Sequence, residues 1–172
     1  CYPDALFLQF EVPIDTIITA TKFAKRQGIP VFVDAGPADK NFPLEDLENV
    51  EIFSPNETET YIFTGIQPTT PDSCLKACMA LATRVKAKYY VIKLGERGAF
   101  VYDGKYYKML SPYDVDVIDT TAAGDAFSAA MTLEYIKSQD IKRSCEYGNI
   151  VGSLTVSKAG ASSSLPTAAE VE

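Results

Sequence analysis

This 172-residue sequence predicts an α/β fold, a mostly parallel sheet with helices on both faces and an antiparallel edge. Three observations predict it. Short runs of β-branched and aromatic residues alternate with stretches of helical periodicity almost throughout, the rhythm of repeated β-α-β units. That rhythm breaks around Asp103-Gly104, a two-residue hairpin signal between two strand-like runs. Asn56, Leu94-Gly95 and residues 119–125 all fall where strands end, and parallel sheets place ligands beyond the carboxyl ends of their strands.

Residues 5–10 read as a buried strand. Ile14, Ile17, Ile18 and Thr21 then recur at helical spacing until Gly28, the residue type that closes a helix in the left-handed conformation. Residues 30–35 form the next strand, and a loop over 36–43 and a short acidic helix lead to a third strand at 50–54. Asn56-Glu57-Thr58-Glu59 opens another helix. A longer helix from 72 to about 87 repeats Leu75, Cys78, Met79 and Ala82 on one face, and 89–94 is a fourth buried strand. Residues 99–102 and 105–110 make the hairpin, 114–118 add one more strand, and helices over 126–137 and 141–157 precede a Gly/Ser-rich loop between 159 and 166. No internal repeat, charge block or linker marks a second domain.

An apolar content of 47% is enough to bury a core. With 23 acidic against 16 basic residues and a net charge of −7, no basic stripe exists to neutralise phosphates, which argues against a nucleic-acid or anionic-membrane partner. No apolar run approaches the roughly 18 residues of a membrane span, and the start lacks a basic flank or cleavage pattern. The expectation is a soluble, cytoplasmic protein. Cys1, Cys74, Cys78 and Cys145 contain no C-x-x-C pair, so buried free thiols are expected ahead of metal ligation. The chain has no histidine. Ser-His-Asp and Cys-His chemistry and the usual zinc sites are thereby excluded, and proton transfer falls to Asp, Glu, Lys, Tyr or Cys.

The most informative segment is Asp119-Thr120-Thr121-Ala122-Ala123-Gly124-Asp125-Ala126-Phe127. Small residues between a strand-like and a helix-like run let an anion approach the free N–H groups and positive dipole end of a helix. Asp125 then stands where it can take a proton from an attacking hydroxyl. The plainer reading is an aspartate near a helix start, worth about 0.3–1 kcal/mol against the dipole. Gly95-Glu96-Arg97-Gly98 either admits a nucleotide close to the backbone or simply punctuates a hairpin. Asn56 with Glu59 forms a capping arrangement worth roughly 1 kcal/mol, or holds water around Mg²⁺. Neither a P-loop nor a dinucleotide fingerprint is present.

In order and spacing, Pro55-Asn56-Glu57-Thr58-Glu59, Leu94-Gly95-x-x-Gly98 and the 119–127 segment resemble the ribokinase family of sugar kinases, also called the phosphofructokinase-B family. The match covers essentially the whole chain. Gly36-Pro37-Ala38 and the 160–166 loop resemble the ribokinase branch more than fructokinases or adenosine kinases. Alanine replaces the usual glycine at 122 or 123, and Lys93 stands where threonine is common.

The resemblance implies a three-layer α/β/α fold and ATP-dependent phosphorylation of a sugar's primary hydroxyl, ribose foremost. It implies Asp125 as base, the N–H groups of Ala122, Ala123 and Gly124 as the hole for transferring charge, Asn56 on the nucleotide phosphates and Glu59 with Mg²⁺ waters. It further implies Lys93, Leu94, Gly95, Glu96, Arg97 and Gly98 as the nucleotide-binding strand end, Asn149 beside the adenine and Glu11 on the ribose. A K⁺ site follows at Asp119, Thr121, Thr155, Lys158, Gly160 and Ser164, mostly through backbone carbonyls, with side-chain oxygens from Asp119 and Ser164. By the same resemblance the sequence corresponds to the C-terminal, nucleotide-binding part of the family domain. The acidic sugar clamp, the Gly-Gly loop and the dimer-forming β-sheet lid of the family are not in it. The strand at 5–10 is then expected to have an uncovered edge, and the fragment to be inactive alone. Two alternatives stand beside this reading: a kinase of the same fold acting on fructose, a ketodeoxy acid or a nucleoside, or a non-catalytic α/β interaction module.

Overall fold

In β2 (Val31–Asp34) every residue is buried, which only a strand covered on both faces achieves. A computed structural model describes residues 3–171 and gives the order β1 (Leu6–Leu8), α1 (Ile14–Gln27), β2, β3 (Val50–Ser54), α2 (Glu57–Thr64), α3 (Pro71–Ala82), β4 (Ala87–Lys93), β5 (Ala99–Tyr102), β6 (Tyr107–Leu110), α4 (Ala123–Ser138), α5 (Ile141–Val156) and α6 (Ala168–Val171). Two packing units result. The first runs to Leu94 and takes in Phe100–Met109; the second is Gly95–Ala99 with Leu110 onward.

The first unit contains the sheet, in spatial order β1-β2-β3-β4-β5-β6. It is mostly parallel with an antiparallel edge and is flanked by helices, as the sequence predicts. Leu6 pairs with Val31, Val33 with Phe53 and Ile52 with Tyr89. Val31, Val33, Phe53, Tyr90 and Ile92 join Ile17, Ala24, Phe63, Cys74, Cys78 and Leu81 in one core. Two helix ends show how free backbone groups are satisfied. Gly28, at φ 69°, closes α1 by donating to the carbonyls of Ala24 and Lys25. Thr70 and Ser73 form a reciprocal capping box at α3, with Pro71 at its first position.

In the second unit α4 and α5 pack on each other, linked through Gln139 and Asp140. A Cβ at Gly148 would meet the Phe127 ring at 3.0 Å, so glycine sets how closely the helices approach. Cys145 Sγ lies 3.6 Å from Met131 Sδ. Cys74, Cys78 and Cys145 are buried free thiols, and burial pushes the Cys78 and Cys145 thiols up; Cys1 lies outside the described residues. Among the described residues no helix is long and apolar enough to cross a membrane.

Several boundaries differ from expectation. Residues 114–118 are not a strand: Val117 and Ile118 are both exposed, so no face is buried, and Ile118 donates to the Val156 carbonyl at the end of α5 instead of to a strand. β1 spans three residues rather than six, and α3 stops at Ala82, capped at Thr83. The acidic helix is a single 3-10 turn, Leu44–Asp46. In the hairpin the central residues are Gly104 and Lys105, because the Asp103 N–H donates to Tyr106 while its carboxylate accepts from the Lys105 and Tyr106 N–H groups.

Phe53 is fully buried and meets Phe63 edge-on with ring centres 6.1 Å apart. Phe53→Ala is expected to destabilise the first unit by about 3–5 kcal/mol, read from the midpoint of urea unfolding.

Candidate active site

Parallel strands bring their carboxyl ends to one edge of the sheet, and the first unit's candidate residues lie along that edge. Glu11 follows β1, exposed, in the loop where Phe10 N–H donates to the Gly36 carbonyl at 2.7 Å. Gly36 follows β2, in cis linkage to Pro37. A Cβ there would run into Oε1 of Glu59. Asn56 follows β3 and pairs with Lys93, the last residue of β4, in an isolated parallel bridge. Leu94 beyond it is buried.

Asn56 and Glu59 form a complete capping box. The Asn56 N–H donates to Glu59 Oε2 at 2.7 Å, and Asn56 Oδ1 accepts from the Glu59 N–H at 2.8 Å. The capping alternative is therefore realised, which fixes both side chains at the strand edge. Asp34 and Ser54, which sequence reasoning missed, also end strands at this edge. Asp34 is buried and ion-paired with Lys93, and Ser54 Oγ is buried without a hydrogen-bond partner among the described residues. An acidic residue ending the apolar run Val31-Phe32-Val33 was the available signal.

In the second unit, Gly95-Glu96-Arg97 forms one 3-10 turn, closed by the Gly98 N–H on the Gly95 carbonyl at 3.0 Å. Gly98, at φ 82°, packs against the crossing backbone, where a Cβ would stand 2.8 Å from the Pro112 nitrogen. Its glycine thus has a reason within the fold. Asn149 is buried on α5 and donates to the carbonyls of Leu110 (3.3 Å) and Ser111 (2.9 Å), tying the chain after β6 to the helix.

The segment at 119–125 forms the start of α4, which begins at Ala123, three residues before the sequence expectation. Ala122 is the N-cap residue in the left-handed conformation, φ 62°, and supplies no side-chain cap. The Ala123 N–H donates to the Thr120 carbonyl at 3.3 Å, and the first helical bond runs from Ala126 to Ala122. The N–H groups of Ala122 and Gly124 have no acceptor among the described residues. Of the three N–H groups expected to face an anion, then, Ala123 is partly committed and the other two are open. Asp125 is exposed in the first turn.

Asp119 organises the approach to this helix. Its Oδ1 accepts from the Thr121 N–H at 2.9 Å and its Oδ2 from the Gly160 N–H at 3.0 Å, while its own N–H donates to Val156. Hydrogen bonds from Thr121 and then Gly160 hold its carboxyl down at about 2. Around it, Thr155 and Ser164 are buried, the Lys158 N–H donates to the Thr155 carbonyl at 3.3 Å, and Ser164 Oγ donates to Ala161 at 2.6 Å. Lys158 Nζ pairs with Glu170 at 2.6 Å. An ionised carboxylate with carbonyl and hydroxyl oxygens nearby is a donor set suited to a hard cation. No group of three or more His, Cys, Asp or Glu able to hold a metal occurs among the described residues, at Asp119 or elsewhere. One carboxylate, Glu59, still fits Mg²⁺, which keeps most of its waters.

The model of the pfkB family carbohydrate kinases matches residues 2–168. A ribokinase of Staphylococcus aureus (strain COL) is 37% identical over 98% of this chain and 55% of its own length, and one of Haemophilus influenzae 31% identical over 97% and 54%. The structure of Arabidopsis thaliana ribokinase complexed with ribose and ATP superposes with a TM-score of 0.90 at 30% identity, covering 98% of this chain and 54% of that one. The chain spans about half the length of the curated relatives it matches.

Two outcomes test these assignments. Because the folded Asp119 carboxyl sits at about 2 against an ordinary 3.8, its bonds to Thr121 and Gly160 stabilise the fold above about pH 4 and are lost as pH falls through about 2. The side-chain carbon titration of Asp119 is expected to show that low midpoint, and Asp119→Asn to lower stability above about pH 4 while removing this carboxylate's share of the stability loss between about pH 4 and 2, read from chemical unfolding at a series of pH values. Gly98→Ala is expected to cost about 1–3 kcal/mol through its positive φ and the clash with residues 110–112, measured by chemical unfolding.

Proposed function

Since the chain belongs to the pfkB family of carbohydrate kinases, we propose that the complete protein transfers the terminal phosphoryl group of ATP to the primary hydroxyl of a sugar, ribose in the first instance. The chain itself corresponds to the nucleotide-binding part of that enzyme. The observation that carries the reading is the start of α4, where an exposed Asp125 stands beside open N–H groups on a helix with no side-chain cap. The ribokinases among its relatives, and the ribose and ATP bound in the Arabidopsis structure, support the choice of substrates.

Phosphoryl transfer requires positioning and charge neutralisation more than covalent help. The Asp125 carboxylate accepts the proton of the sugar hydroxyl as it attacks. The N–H groups of Ala122 and Gly124, with the dipole of α4, stabilise the charge on the transferring group. Asn56, held by its capping box, meets the phosphates, the turn from Lys93 to Gly98 receives the nucleotide, Asn149 lies by the adenine and Glu11 faces the ribose.

Glu59 would hold Mg²⁺ through water, and when bound the ion neutralises charge on the phosphates. Asp119, Thr121, Thr155, Lys158, Gly160 and Ser164 would hold K⁺, which fixes the entry to α4. A cytoplasmic homodimer, formed through the family's lid, is the form that the resemblance implies for the complete protein.

Asp125→Asn in the complete protein is expected to lower ribose-dependent ADP release by about 10²–10⁴-fold while ATP affinity changes little. Turnover near that of the parent protein would overturn the assignment of the base. Failure of the parent to bind a magnesium nucleotide in calorimetry would overturn the kinase reading itself.

A further inference from the structure

The sheet edge carries two buried polar residues, Asp34 and Ser54, to which the roles above give no part. Register partners in parallel strands project to the same face. Asp34 is paired with Ser54, and Lys93 with Asn56, two residues further along the same chain segment. The four therefore share one face at the carboxyl edge. Asp34 and Lys93 form an ion pair there with side chains 5% and 11% exposed. Removing two charges from water is costly, and apolar residues of similar volume often hold a fold as well or better. Stability alone gives no reason for the pair. Ser54 Oγ on the same face is buried and lacks a partner among the described residues, although buried hydroxyls nearly always have one.

We propose that Asp34 is a positioning residue for Lys93, and that the ammonium so held is the cationic contact for the phosphate chain of a nucleotide, with the Ser54 hydroxyl as a neighbouring donor. The proposal rests on the kinase reading above. Lysine is a compact charge on a flexible four-carbon stem, and Asp34 restricts that stem to the face that also carries Asn56. The Asp34 carboxylate would by itself repel phosphate, so Lys93 is what makes this face receptive to an anion. A charge-assisted hydrogen bond is roughly twice as strong as a neutral one. Recognition of phosphate at this point then rests on charge as well as on hydrogen bonding.

Isothermal titration of the complete protein with ADP, AMP and adenosine, at constant magnesium and two salt concentrations, tests the proposal on the parent, Asp34→Asn, Lys93→Met and the double variant Asp34→Asn/Lys93→Met. The double variant leaves no unpaired buried charge and so guards against misfolding of the single ones. Lys93→Met and the double variant are expected to lose tenfold or more in ADP affinity and part of its salt dependence, with adenosine affinity unchanged. Asp34→Asn is expected to lose less, again for ADP only. Unchanged ADP affinity in the double variant, or equal loss for ADP and adenosine, overturns the proposal and leaves the kinase reading standing. A parent that binds no nucleotide overturns both.

Discussion

The register of the parallel strands is the constraint on which the first unit depends. Val33 opposite Phe53 and Asp34 opposite Ser54 settle at once which side chains enter the core and which polar residues arrive together at the carboxyl edge. A slip of one residue would exchange the faces, bringing Asp34 into the apolar cluster and turning Val33 away from it. Core and site are therefore two results of a single alignment, enforced by the area that Val31, Val33, Phe53 and Ile92 remove from water.

The second unit achieves its geometry by different means. Its two long helices approach closely because Gly148 lets the Phe127 ring sit against the α5 backbone. At the start of α4 the N-cap residue, Ala122, enters in the left-handed conformation and offers no side-chain cap to the helix's free N–H groups. That conformation is unusual for a residue with a Cβ. The hydrogen bonds that Asp119 accepts from Thr121 and Gly160 hold the chain on both sides of it. The carboxylate thus orders the turn from outside the helix, and the helix end stays open.

Much of the architecture was legible because it is written in local patterns. The apolar runs at β2, β3 and β4, the glycine closing α1 and the Asn-Glu pair opening α2 each act within a few residues. What was not legible depends on distant partners. Residues 114–118 carry strand-like composition, yet Ile118 bonds to Val156, far along the chain, and no strand forms. Gly98 reads as hairpin punctuation until residues 110–112 are seen to cross it. The candidate residues were legible as positions at strand ends and at one helix start. The Asp34–Lys93 pair was not, because its members are separated by two intervening strand connections and no periodicity joins them.

The box that opens α2 joins two properties that are usually examined separately. Asn56 and Glu59 start a helix by exchanging hydrogen bonds with each other's backbone, and in the proposed reading the same two side chains serve a nucleotide and its metal. On that reading, truncating either one removes a folding signal along with the proposed ligand contact, so a loss of turnover at these positions would mix two causes. A glutamine at 59 keeps an acceptor for the Asn56 N–H while discarding the negative charge, and so separates the contribution of charge from that of the cap better than truncation does.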